Sequence, residues 1–105
     1  LLKKIKKDNK TIHGYGASTK GNVLLQYFGI NKNYIDFISD RNPKKKGSYT
    51  PNTKIKIVSE HFSRSKKPNY YLVLPWHFKK AILMREKLQR KYSKFIFPLP
   101  RLSIY

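Results

Sequence analysis

Apolar residues fall along the chain in short blocks whose spacing switches between a period of two and a period near 3.6, as strands alternating with helices require. After a basic lead-in, Leu1 to Asn9, that reads as the tail of a helix, "TIHGYG" (11–16) predicts a first strand closed by glycines. "STKGNVLLQYFG" (18–29) predicts a helix capped by Ser18 or Thr19 and ended by Gly29. Its residues Val23, Leu24, Tyr27 and Phe28 fall on one arc, the arc expected to lie on a sheet. "YIDFISD" (34–40) predicts a second strand that stops at the turn-rich "RNPKKKGSYTPNT". "KIKIVS" (54–59) alternates lysine with isoleucine, the pattern of a protected edge strand, and a short helix follows at "EHFSRS". "NYYLVLP" (69–75) is apolar throughout, as a strand covered on both faces must be. "WHFKKAILMREKLQRKYS" (76–93) predicts the longest helix, with Phe78, Ala81, Ile82, Leu88 and Tyr92 on one stripe that Arg85 interrupts. "KFIFPLP" (94–100) is a fifth strand, and "RLSIY" is a candidate terminal antiparallel strand.

Strands separated by helices predict an α/β fold: a Rossmann-like three-layer sandwich with a mainly parallel five-stranded sheet, order 3-2-1-4-5, and the candidate strand at the C-terminus. One domain spans 1–105. In this order ligands bind at the carboxyl ends of strands one and four, where the order reverses. "GYGASTKGN", "DRNPKKKG" and "PW" all land at that edge. Gly14 and Gly16 permit a tight turn and close backbone approach, but Thr19 stands at the third glycine of G-x-G-x-x-G, which weighs against a nicotinamide cofactor. The spacing is not that of a Walker A loop either. Lys20 falls between Val23 and Leu24 on the helical wheel, at a helix start where a cation opposes the dipole by ~0.3–1 kcal/mol. A bound anion would reverse that sign; a solvated tail is the plain alternative. Asp40 ends strand two, where an acid binds ribose in dinucleotide folds, or caps the turn before Pro43. Lys44, Lys45 and Lys46 read as a solvated loop or a phosphate contact, and Trp76 as core packing or a base-stacking wall.

The chain has no cysteine, which excludes disulfides, thiolate zinc sites and cysteine nucleophiles and leaves a cytoplasmic location as the expectation. The longest apolar runs fall far short of a membrane span, and the start "LLKKIKKDNK" lacks the apolar core of a signal peptide. A chain that opens without methionine and runs at once into a strand reads as a domain excised from a longer polypeptide. The net charge of +19 is the footprint of a nucleic-acid-binding module. However, lysine outnumbers arginine 19 to 5 amid abundant isoleucine, asparagine and tyrosine, which fits an AT-rich coding bias and a solvated lysine surface better. His13, His61 and His77 lack metal-ligand spacing, no G-x-S-x-G elbow occurs, and only five carboxylates are available for acid–base work. The residues read as a binding domain rather than a complete enzyme.

"GYGASTKGNVLLQYFGI", "DFISDRNPKKKGSYTPNTKIKI", "YYLVLPWHFKKAI" and "FIFPLP", in this order, closely resemble the C-terminal domain of S-adenosylmethionine-dependent sugar C-methyltransferases, over residues 11 to 100. The resemblance implies a domain from the C-terminal end of a larger enzyme, closing over a nucleotide-linked sugar. Zinc and the methyl donor would then belong to upstream domains, with no cofactor in this chain and no methylation by it alone. It assigns Gly14, Gly16, Ser18, Lys20, Gly21 and Asn22 to a loop and helix start, Asp40, Asn42, Pro43, Lys45 and Gly47 to a second-strand motif, and Pro75 and Trp76 to the end of strand four. On this reading Lys20 and the helix start hold the pyrophosphate, Asp40 the ribose or base, and Trp76 lines the pocket, with the nucleotide-sugar and the upstream methyltransferase domain as partners. His77, Asn52 and Lys56 depart from the family pattern, where asparagine, glycine and proline are usual. A basic nucleic-acid-binding module and a ligand-free structural or subunit-contact domain are the alternatives.

Overall fold

The apolar blocks pair into one sheet. A computed structural model describes residues 1–105, with α1 at Leu2–Lys7, β1 at Ile12–Tyr15, α2 at Thr19–Tyr27, β2 at Phe37–Ser39, β3 at Lys56–Val58, α3 at Glu60–Ser65, β4 at Tyr70–Val73, α4 at Lys79–Arg85, β5 at Lys94–Phe97 and β6 at Ser103–Ile104. Single 3-10 turns at Trp76–Phe78 and Gln89–Lys91 flank α4. The strand order is β3-β2-β1-β4-β5-β6. The first five strands are parallel, and β6 runs antiparallel to β5 with Ile104 opposite Ile96. The sheet is therefore mixed and six-stranded, in the expected order and with the C-terminal strand added.

Side-chain alternation along the strands divides the interior in two. Ile12, Ile38, Leu72 and Ile96 point to one face and meet Ile5 of α1 and Leu25 of α2. Tyr15, Tyr71, Val73, Phe95 and Phe97 point to the other and meet Ile82 of α4. Fully burying an apolar side chain of this size contributes about 1.5–3 kcal/mol, so the two layers carry the fold. Hydrogen bonds pin α3 to the second face. The Oγ of its buried Ser63 lies 2.6 Å from His13 Nδ1 and 2.7 Å from the Tyr71 hydroxyl.

Two helices differ from expectation. The arc of α2 that meets the sheet is not Val23, Leu24, Tyr27 and Phe28 but Gly21, Asn22 and Leu25; Tyr27 is 83% exposed. Close approach decides this, because a Cβ built on Gly21 would stand 2.4 Å from Leu74 Cβ. The helix lies on its smallest residue, which an apolarity wheel does not score. Asn22 is held on the same side, donating to the Pro51 carbonyl at 3.1 Å and accepting from Thr53 Oγ1 at 2.8 Å. The expected helix over 76–93 is instead a short helix between two 3-10 turns, and of its stripe only Ile82 is buried. An unbroken helix of that length would run about 27 Å, whereas four-residue strands span about 13 Å, so the crossover has to stop early to return to β5.

Replacing glycine by alanine in an exposed helix gains about 1 kcal/mol. At Gly21 the sign should reverse, since the new methyl meets Leu74 and Ser18. Gly21→Ala is expected to destabilise the chain by about 1–3 kcal/mol in urea denaturation. A gain in stability would show that α2 is free to ride outward.

Candidate functional site

The strands end at one level. Tyr15 stands opposite Ser39 and Val73, and Ser39 opposite Val58. The ladder continues past them, with Gly16 N–H donating to the Ser39 carbonyl at 2.7 Å and Leu74 N–H to the Tyr15 carbonyl at 3.0 Å. Above this level lies a crevice of about 440 Å³, on the α3 and α4 side of the sheet, bordered by Gly16, Asp40, Arg41, Glu60, Phe78 and Arg85. It sits between β1 and β4, where the strand order reverses.

Its rim is built from the loops after β1 and β2. Gly16 has a φ of 84°, a left-handed conformation, and a Cβ there would stand 2.8 Å from Pro75 Cδ. Asp40 ties the two loops, accepting from Ala17 N–H at 2.8 Å and Asn42 N–H at 2.7 Å. Lys45 closes the same tie, donating to the Ala17 carbonyl at 2.7 Å. Asn42 accepts from Lys44 N–H at 3.0 Å, and Ser18 caps α2 by accepting from Gly21 N–H at 3.0 Å.

Of the motif residues singled out in the sequence, Gly16, Asp40 and Pro75 border this crevice, and Asn42, Pro43 and Lys46 border a smaller hollow beside Asp40 and Arg41. Gly14 is buried in the sheet, under Ile38. Gly21 and Asn22 face Leu74 and the 50–53 loop, and Lys45 is occupied within the rim. Trp76 packs at the edge of the second core layer. Lys20 is exposed and does not border the crevice; the arc it shares with Val23 faces outward.

The crevice and the hollow beside it, lined by Arg64 and Glu86, hold side chains that sequence reasoning passed over. Glu86 is 3% exposed and gathers three donors: the Tyr15 hydroxyl at 2.5 Å, Arg64 Nη2 at 2.6 Å and Arg85 Nε at 3.1 Å. Arg85 Nη2 also bonds the Tyr15 hydroxyl and lies 3.9 Å from Glu60 Oε2. Burial pushes the Glu60 carboxyl above its ordinary value, against the opposing pull of Arg64. Arg41 borders the crevice with no ion pair of its own. The signal that could have found these residues is scarcity: arginine is rare in this chain, and three of its five copies stand here. No group of three or more His, Cys, Asp or Glu side chains is placed to hold a metal ion, and no helix is long and apolar enough to cross a membrane.

A model of the C-methyltransferase C-terminal domain family matches residues 1–100. The chain belongs to that family. It is 37% identical over 101 residues to "C-methyltransferase NovU" of Streptomyces niveus, a match that covers 95% of this chain and 24% of NovU. The chain thus spans about a quarter of the length of that relative. Asn52, where the resemblance leads one to expect glycine, has a φ of 63°, a left-handed conformation that asparagine tolerates better than most residues.

In this C-methyltransferase C-terminal domain two ionisable groups under the crevice are exposed to simple tests. His13 is buried edge-on to Phe37 and Tyr71, and burial lowers its pKa from 6.5 to about 4, against the pull of Asp36. Between those values the unfolded chain binds more protons than the folded one, so stability falls as pH drops from 6.5 to 4 and levels below that. The expected loss is about 3 kcal/mol, read by urea denaturation, and His13→Gln should flatten that window relative to the wild type. Glu86→Gln keeps the shape and removes the charge that two arginines share. It should cost about 2 kcal/mol, less than a fully buried pair, because both arginine side chains are 41% exposed. A thermal midpoint unchanged in Glu86→Gln would show that the cluster does not hold α3 and α4 in place.

Proposed function

We propose that the chain is the substrate-side C-terminal domain of an S-adenosylmethionine-dependent C-methyltransferase acting on nucleotide-linked sugars, and that its crevice takes the nucleotide diphosphate. The observation that carries this reading is the crevice itself. It opens at the reversal of strand order, its rim is drawn in where Gly16 packs on Pro75, and Arg41 and Arg85 stand on its walls. Guanidinium forks suit phosphate oxygens, and a diphosphate is the part of such a substrate that carries fixed charge. Family membership supplies the reaction class, and the name of NovU agrees with it.

On this reading the methyl donor and any zinc are held by upstream parts of a longer cytoplasmic enzyme, and the present chain orients the substrate without methylating it. Asp40 and Lys45 keep the two rim loops in register, a positioning role, and Trp76 supports the turn after β4 from below. The test is a titration of the ¹⁵N-labelled chain with dTDP. Amide shifts are expected at Gly16, Ala17, Asp40 and Arg41. Shifts absent from these residues would overturn the reading. Tight binding of a DNA duplex that falls steeply with salt, alongside no response to dTDP, would favour the nucleic-acid module instead.

A further inference from the structure

Asp40, Arg41, Glu60 and Arg85 line the crevice, Arg64 and Glu86 line the hollow beside it, and their partners are not equally shared out. Glu86 is saturated by Tyr15, Arg64 and Arg85. Asp40 is saturated by two backbone N–H groups and sits 4.0 Å from Lys45. Arg64 bonds Glu86 at 2.6 Å and lines the adjoining hollow rather than the crevice itself. That leaves Arg41, Arg85 and Glu60. Arg85 uses Nε on Glu86 and one Nη2 hydrogen on Tyr15, so the Nη1 side of its five-donor fork makes no hydrogen bond. Arg41 makes none with its side chain. Glu60 makes none either; its only charged neighbour within ion-pair distance is Arg85, at 3.9 Å, too long for a hydrogen bond.

Resting on the reading above, we propose that Arg41 and Arg85 form a two-guanidinium clamp for the diphosphate, and that Glu60 is an internal counter-ion which the diphosphate displaces. Arg85 is the rigid half. Its planar group is fixed by a buried carboxylate and a tyrosine hydroxyl at the end of β1, so one edge stays presented to the crevice without a search through rotamers. Arg41 is the adaptable half, on the loop after β2, and closes over whatever Arg85 holds. Glu60 can leave without breaking a hydrogen bond. Once the Glu86–Arg64 and Asp40–Lys45 pairs are set aside, the crevice carries one net positive charge with Glu60 in place and two without it. Two is the charge of a diphosphate diester, one on each phosphate. The arrangement therefore keeps the arginines compensated when no substrate is present and favours a dianion over a monoanion.

Isothermal titration of the 105-residue chain with inorganic pyrophosphate and with dTDP tests the clamp. Arg41→Gln touches an exposed residue without partners, so it leaves folding intact. It should weaken both ligands about tenfold or more, the cost of a charge-assisted contact to phosphate. Glu60→Gln removes the competitor and should tighten pyrophosphate about threefold, the size of a partly exposed ion pair. Lys20→Gln is expected to bind like the wild type. If dTDP shifts the Gly16 and Arg41 amides while Arg41→Gln and Glu60→Gln bind as the wild type does, the clamp is wrong and the nucleotide-sugar reading survives. Weaker binding by Glu60→Gln would show that Glu60 holds the ligand rather than competes with it, which also overturns the clamp. No response of the crevice amides to either ligand in the wild type would remove both.

Discussion

Glu86 is the one carboxylate in the chain that the fold takes out of water, and three separate elements are tied to it. Tyr15 comes from the end of β1, Arg64 from α3 and Arg85 from α4. A buried carboxylate without partners would cost several kcal/mol, so the position tolerates it only while all three donors converge. The convergence has consequences for shape. The helix after β4 ends at Arg85, directly before the residue that must turn inward, and α3 is held to the end of α4 through Arg64 and to β1 through Ser63. The second face of the sheet is an apolar layer with a polar lid, and the crevice is the open part of that lid.

The charges of the molecule look different from this vantage. A net charge of +19 suggests a uniform basic surface, but the acids are not scattered: Asp40, Glu60 and Glu86, three of only five, lie at the carboxyl end of the sheet. Three of the five arginines lie with them. The lysines that dominate the composition are largely elsewhere; Lys46 lines the hollow beside Asp40 and Arg41, and Lys45 is used on a backbone carbonyl of the rim. Composition is an average over a solvated surface; the site is made from the minority residues, and an average hides them.

Much of the fold was legible in the residue pattern because strands are short, apolar and separated by unmistakable turn chemistry. The central place of "YYLV", the short helix at 60–65, a cap at Ser18 or Thr19 and the Gly29 stop follow from local signals, and the strand order from the alternation of strands and helices. What local signals do not contain is distance between elements. Nothing in "STKGNVLLQYFG" says that α2 approaches Leu74 closely enough to turn Gly21 inward and Tyr27 outward. Nothing in 76–93 says how long the sheet beneath it is. The edge of the sheet at which the rim loops gather was readable, since it depends on strand order alone, whereas the walls depend on side chains from α3 and α4 that meet only after packing.

The glycine pattern of the first loop shows the same division. In a dinucleotide fold the third glycine lets the helix lie close to the sheet, so that the helix start can face a pyrophosphate. Here Thr19 holds that place, and the close approach is made two residues later by Gly21. The steric task is kept at Gly21; before it, Ser18 caps the helix by accepting from Gly21 N–H, and Asp40 and Lys45 bond the N–H and carbonyl of Ala17. In the proposed clamp the positive charge for the diphosphate comes from Arg41 and Arg85, which line the crevice at the carboxyl ends of the strands. Backbone donors at a helix start accept any phosphate of the right reach, whereas a guanidinium held by a buried glutamate, as Arg85 is, presents its fork in one orientation. In the proposed clamp, then, the orientation of Arg85 rests on Glu86, a residue that the clamp does not bring to the ligand.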